Sequence, residues 1–260
     1  MPLNVPPVAD ASRPARDLVA LLWRHERPQP TRPGPRPRIG VDAIVAAAIA
    51  RADAEGLAAV TVRRVADDVG VKPMTFYSHV PDKDTLVALM LDQCLVNMPP
   101  LDIDSDLPAR QALSRLIEAN YRWYLAHPWL DDAHTEQPPP GPGVIGKYER
   151  ELAIVVRWGL SDVDTDSILT FVLDFARSAA VDATRAARSR TGNAEWWQAV
   201  GPVLAEVLDP ERYPLSQRIG GAAGAALGGA YDADHAYRFG RDRVLDAVEA
   251  LLESAGRIPR

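Results

Sequence analysis

A single cysteine, Cys94, stands in the 260 residues. It has no partner for an intramolecular disulfide and leaves no Cys-based zinc site. Long apolar runs are missing as well. The longest uncharged stretch, Ile219 to Tyr231, is 13 residues of mostly Gly and Ala, too short to span a bilayer. No charged-then-apolar segment opens the chain, so no secretory signal is read. The expectation is a cytoplasmic protein with no membrane partner. Strand-like alternation of apolar and polar residues is absent, and no unit repeats at a period of roughly 20–50 residues. The expected class is all-α. A basic balance is lacking too. The net charge of −6 excludes a protein that coats nucleic acid, but it leaves room for a small DNA-reading face.

That charge is unevenly spread. Residues 1–40 carry seven Arg against Asp10, Asp17 and Glu26, a balance of +4; residues 41–97 stand at −3 and residues 98–260 at −7. A basic arm leads an acidic body. Residues 1–38 hold nine of the 23 prolines. Ala15 to Arg27 can form a short helix through Leu18, Val19, Leu21, Leu22 and Trp23. Pro28 to Arg38 has too few backbone donors to join a helix or sheet and reads as an extended arm, either a solvated linker or a DNA-touching segment.

From Val41 the pattern changes. Ile44, Val45, Ala48, Ile49 and Ala52 recur at helical spacing, and Gly56 is a natural stop. Thr61 can cap a short second helix, which Gly70 closes. A third short helix is expected at Lys72 to Ser78, and a fourth opens at Pro81–Asp82 with Leu86, Leu89, Met90 and Cys94 on one face. Beyond a Pro/Asp-rich break the spacing predicts helices over Ala109–His127 and Val144–Trp158. Ser161 with Asp164 opens a long helix to about Arg190. Glu195–Leu208 reads as a separate helix, the following segment through Ala230 as loose, and Asp232 as the cap of a last helix to about Ser254.

Helix, short helix, tight turn, short helix is the helix-turn-helix arrangement, whose second helix enters the major groove. Ala66 is small where the two helices cross, and Gly70 supplies the turn. Thr75, Tyr77, Ser78 and His79 on the third helix can bond phosphates or base edges. Lys83 is a point charge for phosphate, and Arg63 precedes the turn. Residues 61–83, TVRRVADDVGVKPMTFYSHVPDK, and the preceding IVAAAIARADAEGLAAV, Ile44 to Val60, resemble the DNA-binding signature of the tetracycline-repressor (TetR) family. The segments His127-Pro128-Trp129-Leu130 and Phe239 to Asp246 are similar to that family's C-terminal domain.

The resemblance implies a helix-turn-helix domain at 39–98 and a ligand-binding and dimerisation domain at 105–255; the basic arm at 1–38, read from its charge and prolines, lies outside that pattern. It implies a homodimeric repressor on a palindromic double-stranded DNA operator, released by a small-molecule effector, with no enzyme activity, cofactor or metal. Carried over by position, Arg63, Pro73, Met74 and Thr75 fall at base contacts, and Tyr77, Ser78, His79 and Lys83 at phosphates or nearby edges. Lys72 stands beside them. Met74 departs from the small or hydrogen-bonding residue expected there and could meet a thymine methyl.

For the effector, Trp123, Tyr124, Trp158, Phe171 and Phe175 are candidate pocket aromatics, alongside Tyr121 and Trp129. Asn120, His127, His134, Asp174 and Arg177 are the polar candidates. The aromatics make an apolar, ring-bearing effector plausible. The dimer surface is expected on Ile168–Arg190 and on the last helix, through Tyr237, Gly240, Val244, Ala247, Val248, Leu251 and Leu252. A rival from another class is a metal-dependent helical hydrolase using His127, His134, His235, Asp131 and Asp132. No His-Glu-x-x-His spacing accompanies it. Gly141-Pro142-Gly143-Val144-Ile145-Gly146 matches G-x-G-x-x-G, but Pro138-Pro139-Pro140 stands where a dinucleotide site needs a strand.

Overall fold

The structure is a computed structural model that describes residues 13–26, 39–104, 106–134 and 137–257. The extended arm expected at Pro28–Arg38 lies outside the described residues. All regular elements among the described residues are helical: α1 Arg13–Leu22, α2 Val41–Glu55, α3 Val62–Asp68, α4 Pro73–Tyr77, α5 Lys83–Asn97, α6 Ala109–Ala126, α7 Trp129–Asp132, α8 Pro142–Val155, α9 Asp162–Val207, α10 Gly221–Leu227 and α11 Ala233–Ser254. They pack as two compact units. Among the described residues, those up to 100 and those within 129–151 form one, and those within 101–128 and from 152 onward form the other. Residues 129–151, which lie inside the sequence-defined C-terminal segment, therefore pack with the N-terminal unit.

In the first unit, α2 packs on α3 and α5, and α1 packs on α5. Ile44, Val45 and Ala48 of α2, Val65 and Ala66 of α3, Phe76 of α4 and Leu86 and Met90 of α5 are fully buried. Each such aliphatic or aromatic side chain contributes roughly 1.5–3 kcal/mol. The short helix expected near residue 15 is α1. It sinks Leu22 into the unit and is pinned by Trp23, whose Nε1 donates to the Pro140 carbonyl at 2.7 Å. Arg24 donates to Asp42 Oδ1 at 2.6 and 2.8 Å. Burial works against the charge on Asp42, but Arg24 and His25 outweigh it and hold the carboxyl below its usual range.

Asp92 is a buried carboxylate in α5. Its Oδ1 accepts from the backbone N–H of Gly143 at 2.9 Å and of Val144 at 3.0 Å, capping the start of α8. A Cβ on Gly141 would lie 2.3 Å from the Asp92 carboxylate, and one on Gly143 would lie 1.9 Å from the Asp92 carbonyl oxygen. The Gly-x-Gly spacing thus serves close approach of two helices, not a phosphate.

Burial raises the Asp92 carboxyl above its usual value, against the two N–H donors that lower it. A raised folded-state value means that the group's contribution is full below the ordinary carboxylate range and is lost as pH rises through the folded value. Asp92→Asn keeps the accepting oxygen without the charge. Its melting temperature relative to the parent should rise as pH goes from about 4 to about 7. A difference that is flat with pH would show that the carboxyl titrates normally.

The second unit is built on α6, α9 and α11, which pack on one another. Leu113, Leu116 and Ile117 of α6, Leu169, Val172 and Ala176 of α9 and Leu245 and Leu252 of α11 form its core. Gly240 lets the Phe175 ring in, since a Cβ there would stand 2.6 Å from it. Tyr237 stacks on Tyr121 at 3.9 Å and donates to Glu118 at 2.5 Å. Burial and the Glu118 carboxylate push its phenol far up.

Two expectations in this unit change. α9 does not stop near Arg190 but continues through Gly192 to Val207. One glycine in a helix interior costs only about 1 kcal/mol, too little to end it. The segment expected to be loose holds a wide turn at Ser216–Gly220 and α10, ended by Gly228 at φ 70°. Its alanines are good helix formers and outweigh the glycines.

Candidate nucleic-acid interface

The turn between α3 and α4 follows from its residues. Thr61 caps α3, its side chain accepting from Arg64 N–H at 3.4 Å. Gly70 sits at φ 70°, a left-handed conformation that a side chain would strain. Val71 N–H then donates to the Ala66 carbonyl at 2.9 Å and turns the chain into α4. Pro73 opens α4, where its missing N–H costs nothing.

α4 is sealed on one side and open on the other. Phe76 and Val80 are fully buried. Lys72, Pro73, Met74, Thr75, Tyr77 and Ser78 are exposed, and His79 is half-buried. Met74 is 81% exposed, a degree no intramolecular packing explains. The Tyr77 ring meets Phe76 edge-on at 5.8 Å, so it is held by packing while half its surface stays open. Ser78 Oγ donates to the Thr75 carbonyl at 2.6 Å, which fixes the hydroxyl's lone pairs outward.

The surrounding charges are sorted. Arg51 forks onto Asp68 at 2.7 and 2.5 Å. Its hydrogen bonds hold the Asp68 carboxyl below its usual range. Arg64 takes Glu55 at 2.6 and 2.8 Å. Among the described residues Arg63, Lys72 and Lys83 form no ion pair, so Arg63 on α3 and the two lysines that precede and follow α4 in the chain keep their charge unspent. Asp82, next to Lys83, is occupied in capping α5 through Thr85 N–H. An exposed helix face between uncompensated cations suits a phosphate-lined groove.

The expected effector residues are only partly brought together. Asn120, Trp123, Tyr124 and His127 share one face of α6 by spacing, and the Trp123 and His127 rings lie 4.4 Å apart. Asn120 is buried, with Nδ2 donating to the Leu116 carbonyl. The Trp123 indole N–H is buried without a hydrogen-bond partner among the described residues. Phe175 stacks on Tyr237, and Trp158 belongs to the unit's core. Phe171 points away from that core, 48% exposed. His134 is exposed and lies in the first unit, as does Trp129, which is buried there with Nε1 donating to Asp53 at 2.6 Å. One opening went unread in the sequence: a cavity of about 330 Å³ between α9 and the turn into α11. Its only sequence signal is the small-residue run around Ala183–Ala187 and Gly228–Ala230.

This arrangement defines a DNA-binding regulator of the helix-turn-helix class. The family profile for bacterial regulatory proteins of the tetR family matches residues 44–90, and that for the tetracyclin repressor-like C-terminal domain matches residues 105–252. The chain is 34% identical over 239 residues to the HTH-type transcriptional repressor DrrR1 of Streptomyces coeruleorubidus, covering 89% of this chain and 84% of that one. It is 26% identical over 145 residues to an HTH-type transcriptional regulator of Saccharopolyspora erythraea, 56% of this chain and 59% of the other. In fold it is similar to apo ActR of Streptomyces coelicolor, with TM-score 0.67 and 21% identity over 85% of this chain and all of that one. ActR in complex with actinorhodin gives the same score over 83% and 99%.

The chain belongs to the TetR family of bacterial transcriptional regulators. As a member it is a transcriptional regulator that binds DNA, not an enzyme. The hydrolase alternative finds no support. His134 lies in one unit and His127 and His235 in the other, and no group of three or more His, Cys, Asp or Glu among the described residues is placed to hold a metal. No helix among the described residues is long and apolar enough to cross a membrane.

Proposed function

We propose that the chain is a cytoplasmic repressor that grips a palindromic operator as a homodimer and lets go when an effector binds the C-terminal unit. The observation that carries the DNA half is the open face of α4 between Arg63, Lys72 and Lys83, none of them paired among the described residues. In this reading Pro73, Met74, Thr75 and Arg63 meet base edges. Tyr77, Ser78, His79, Lys72 and Lys83 hold phosphates. Operator titrations at several salt concentrations test it. Lys72→Ala and Lys83→Ala should each weaken binding and reduce the magnitude of the salt slope by about 1. An unchanged slope in both would place the DNA elsewhere.

The effector reading rests on α6. Trp123 offers a buried N–H without an acceptor among the described residues, beside His127 and on the face that Tyr124 and Asn120 share by spacing. An apolar, ring-bearing molecule with one hydrogen-bond acceptor satisfies that donor. Trp158 belongs to the core of the same unit and Phe175 packs against that core, Phe171 is exposed, and His134 belongs to the other unit.

The dimer surface is proposed on the outward sides of α9 and α11. Phe171, Phe239 and Leu251 are large apolar residues exposed there at 48%, 57% and 41%. Val248, on the sequence-expected face, is buried within its own subunit instead. Leu251→Glu should therefore split the dimer in sedimentation while the subunit stays folded, and operator affinity should fall with it. Val248→Glu should lower the melting temperature outright, because it buries an unpaired charge. A Leu251→Glu protein that still sediments as a dimer puts the interface on another face.

A further inference from the structure

The cavity beside α9 uses none of the residues assigned above to DNA or to the α6 effector face. Ala183, Ala186 and Ala187 form its floor, the turn at 227–230 one wall, and Tyr231, Asp232 and Asp234 another. Its volume of about 330 Å³ is within the range of small-molecule sites. The turn is held open by Gly228 at φ 70° and closed on itself by Gly229 N–H donating to the Gly224 carbonyl at 3.1 Å.

The chemistry of this wall is one-sided. Asp232 spends one carboxylate oxygen capping α11 through His235 N–H at 2.9 Å and has the charges of Arg238 and His235 nearby. Asp182, one residue before the floor, is 3.8 Å from Arg185. Asp234 has no ion-pair partner among the described residues. Two phenols lie near these carboxylates, each beside a different pair. Burial pushes the Tyr231 phenol up, with Asp182 and Asp232 adding to it. Burial does the same to Tyr121, with Asp234 and Glu118 adding. Alanine methyls suit an apolar body, whereas a carboxylate without an ion-pair partner among the described residues, in a lining that also carries a tyrosine ring, suits a cation.

We propose that this cavity is a binding site for an organic cation, a protonated amine carried on an apolar body, with Asp234 as its counter-ion and the Tyr231 ring against its charged end. The site stands on the cavity itself; only its link to DNA release rests on the effector reading above.

The test uses the full-length protein and a matched pair of probes, 2-(1-naphthyl)ethylamine and 2-(1-naphthyl)ethanol, titrated by calorimetry at neutral pH. The amine should bind at least about tenfold more tightly than the alcohol. Asp234→Asn should remove most of that difference and leave the alcohol unchanged. Ala186→Leu, which fills the floor, should weaken both probes while the melting temperature holds. Equal affinity for the two probes, no binding of either at millimolar concentration, or an amine preference that survives Asp234→Asn each overturns the proposal. Operator titrations with the bound amine separate the two readings. Asp234-dependent binding that leaves operator affinity unchanged keeps this site and removes it as the switch.

Discussion

Gly143→Ala is expected to destabilise the N-terminal unit by about 3 kcal/mol or more, since its added methyl meets the closest atom found at any described glycine. The added carbon would stand 1.9 Å from the Asp92 carbonyl oxygen, which belongs to helix backbone and cannot rotate away. Relief requires α8 to lift off α5. That breaks the Asp92 cap on Gly143 and Val144 and leaves a buried carboxylate without its two donors. Gly141→Ala should cost less, about 1–3 kcal/mol, because its new methyl meets the Asp92 side chain, which can shift. Gly146→Ala is the control. Its nearest neighbour is the far end of Arg150 at 3.3 Å, and alanine in a helix interior is favoured over glycine by about 0.5–1 kcal/mol. Denaturant unfolding of the three variants decides. Near-equal stabilities would mean that α5 and α8 do not approach as closely as described. Operator affinity should follow stability in Gly143→Ala, because α5 carries Leu86 and Met90 into the core that supports α4.

Much of the fold was legible in residue order. Thr61, Asp82, Ser161 and Asp232 all cap helices as their positions predict, each accepting from a backbone N–H three residues on. The helix-turn-helix was legible because its constraints are local: Ala66 at the crossing, Gly70 at positive φ, and Phe76 inward between outward neighbours. Long-range pairings were not legible. Nothing near Gly143 in sequence announces Asp92, 51 residues away, as the reason for the glycine. The G-x-G-x-x-G spacing could be dismissed as a dinucleotide site but not explained. The outward and inward sides of α11 were also confused, since Val248 and Leu251 are equally apolar and only packing against α6 and α9 tells them apart. The candidate effector residues do not gather into one group. Aromatics at helical spacing mark a core and a pocket alike, and here Trp158 and Phe175 are core, Phe171 is surface, and the open cavity is lined by alanines.

Met74→Glu should abolish specific operator binding without changing stability. At 81% exposure the Met74 side chain has almost no packing to lose, so the melting temperature should match the parent within the roughly 0.5 kcal/mol typical of surface substitutions. On DNA the same change replaces an apolar contact with a carboxylate set among phosphates. The loss should be about a hundredfold or more, since one good base contact is worth about 1–3 kcal/mol and repulsion adds to it. Met74→Ala should lose about tenfold or less and relax preference at one base position, as expected if the thioether touches a thymine methyl. Tyr77→Ala divides its cost differently. It removes the edge-on contact with Phe76, about 0.5–1.5 kcal/mol of stability, and a contact to the DNA backbone as well. Its affinity should therefore drop about tenfold for every sequence alike, with a small fall in melting temperature. Titrating the three variants against operator and scrambled DNA separates these roles. If Met74→Glu binds operator like the parent, α4 does not enter the groove by this face, and the assignment of Pro73, Met74 and Thr75 to base edges fails with it.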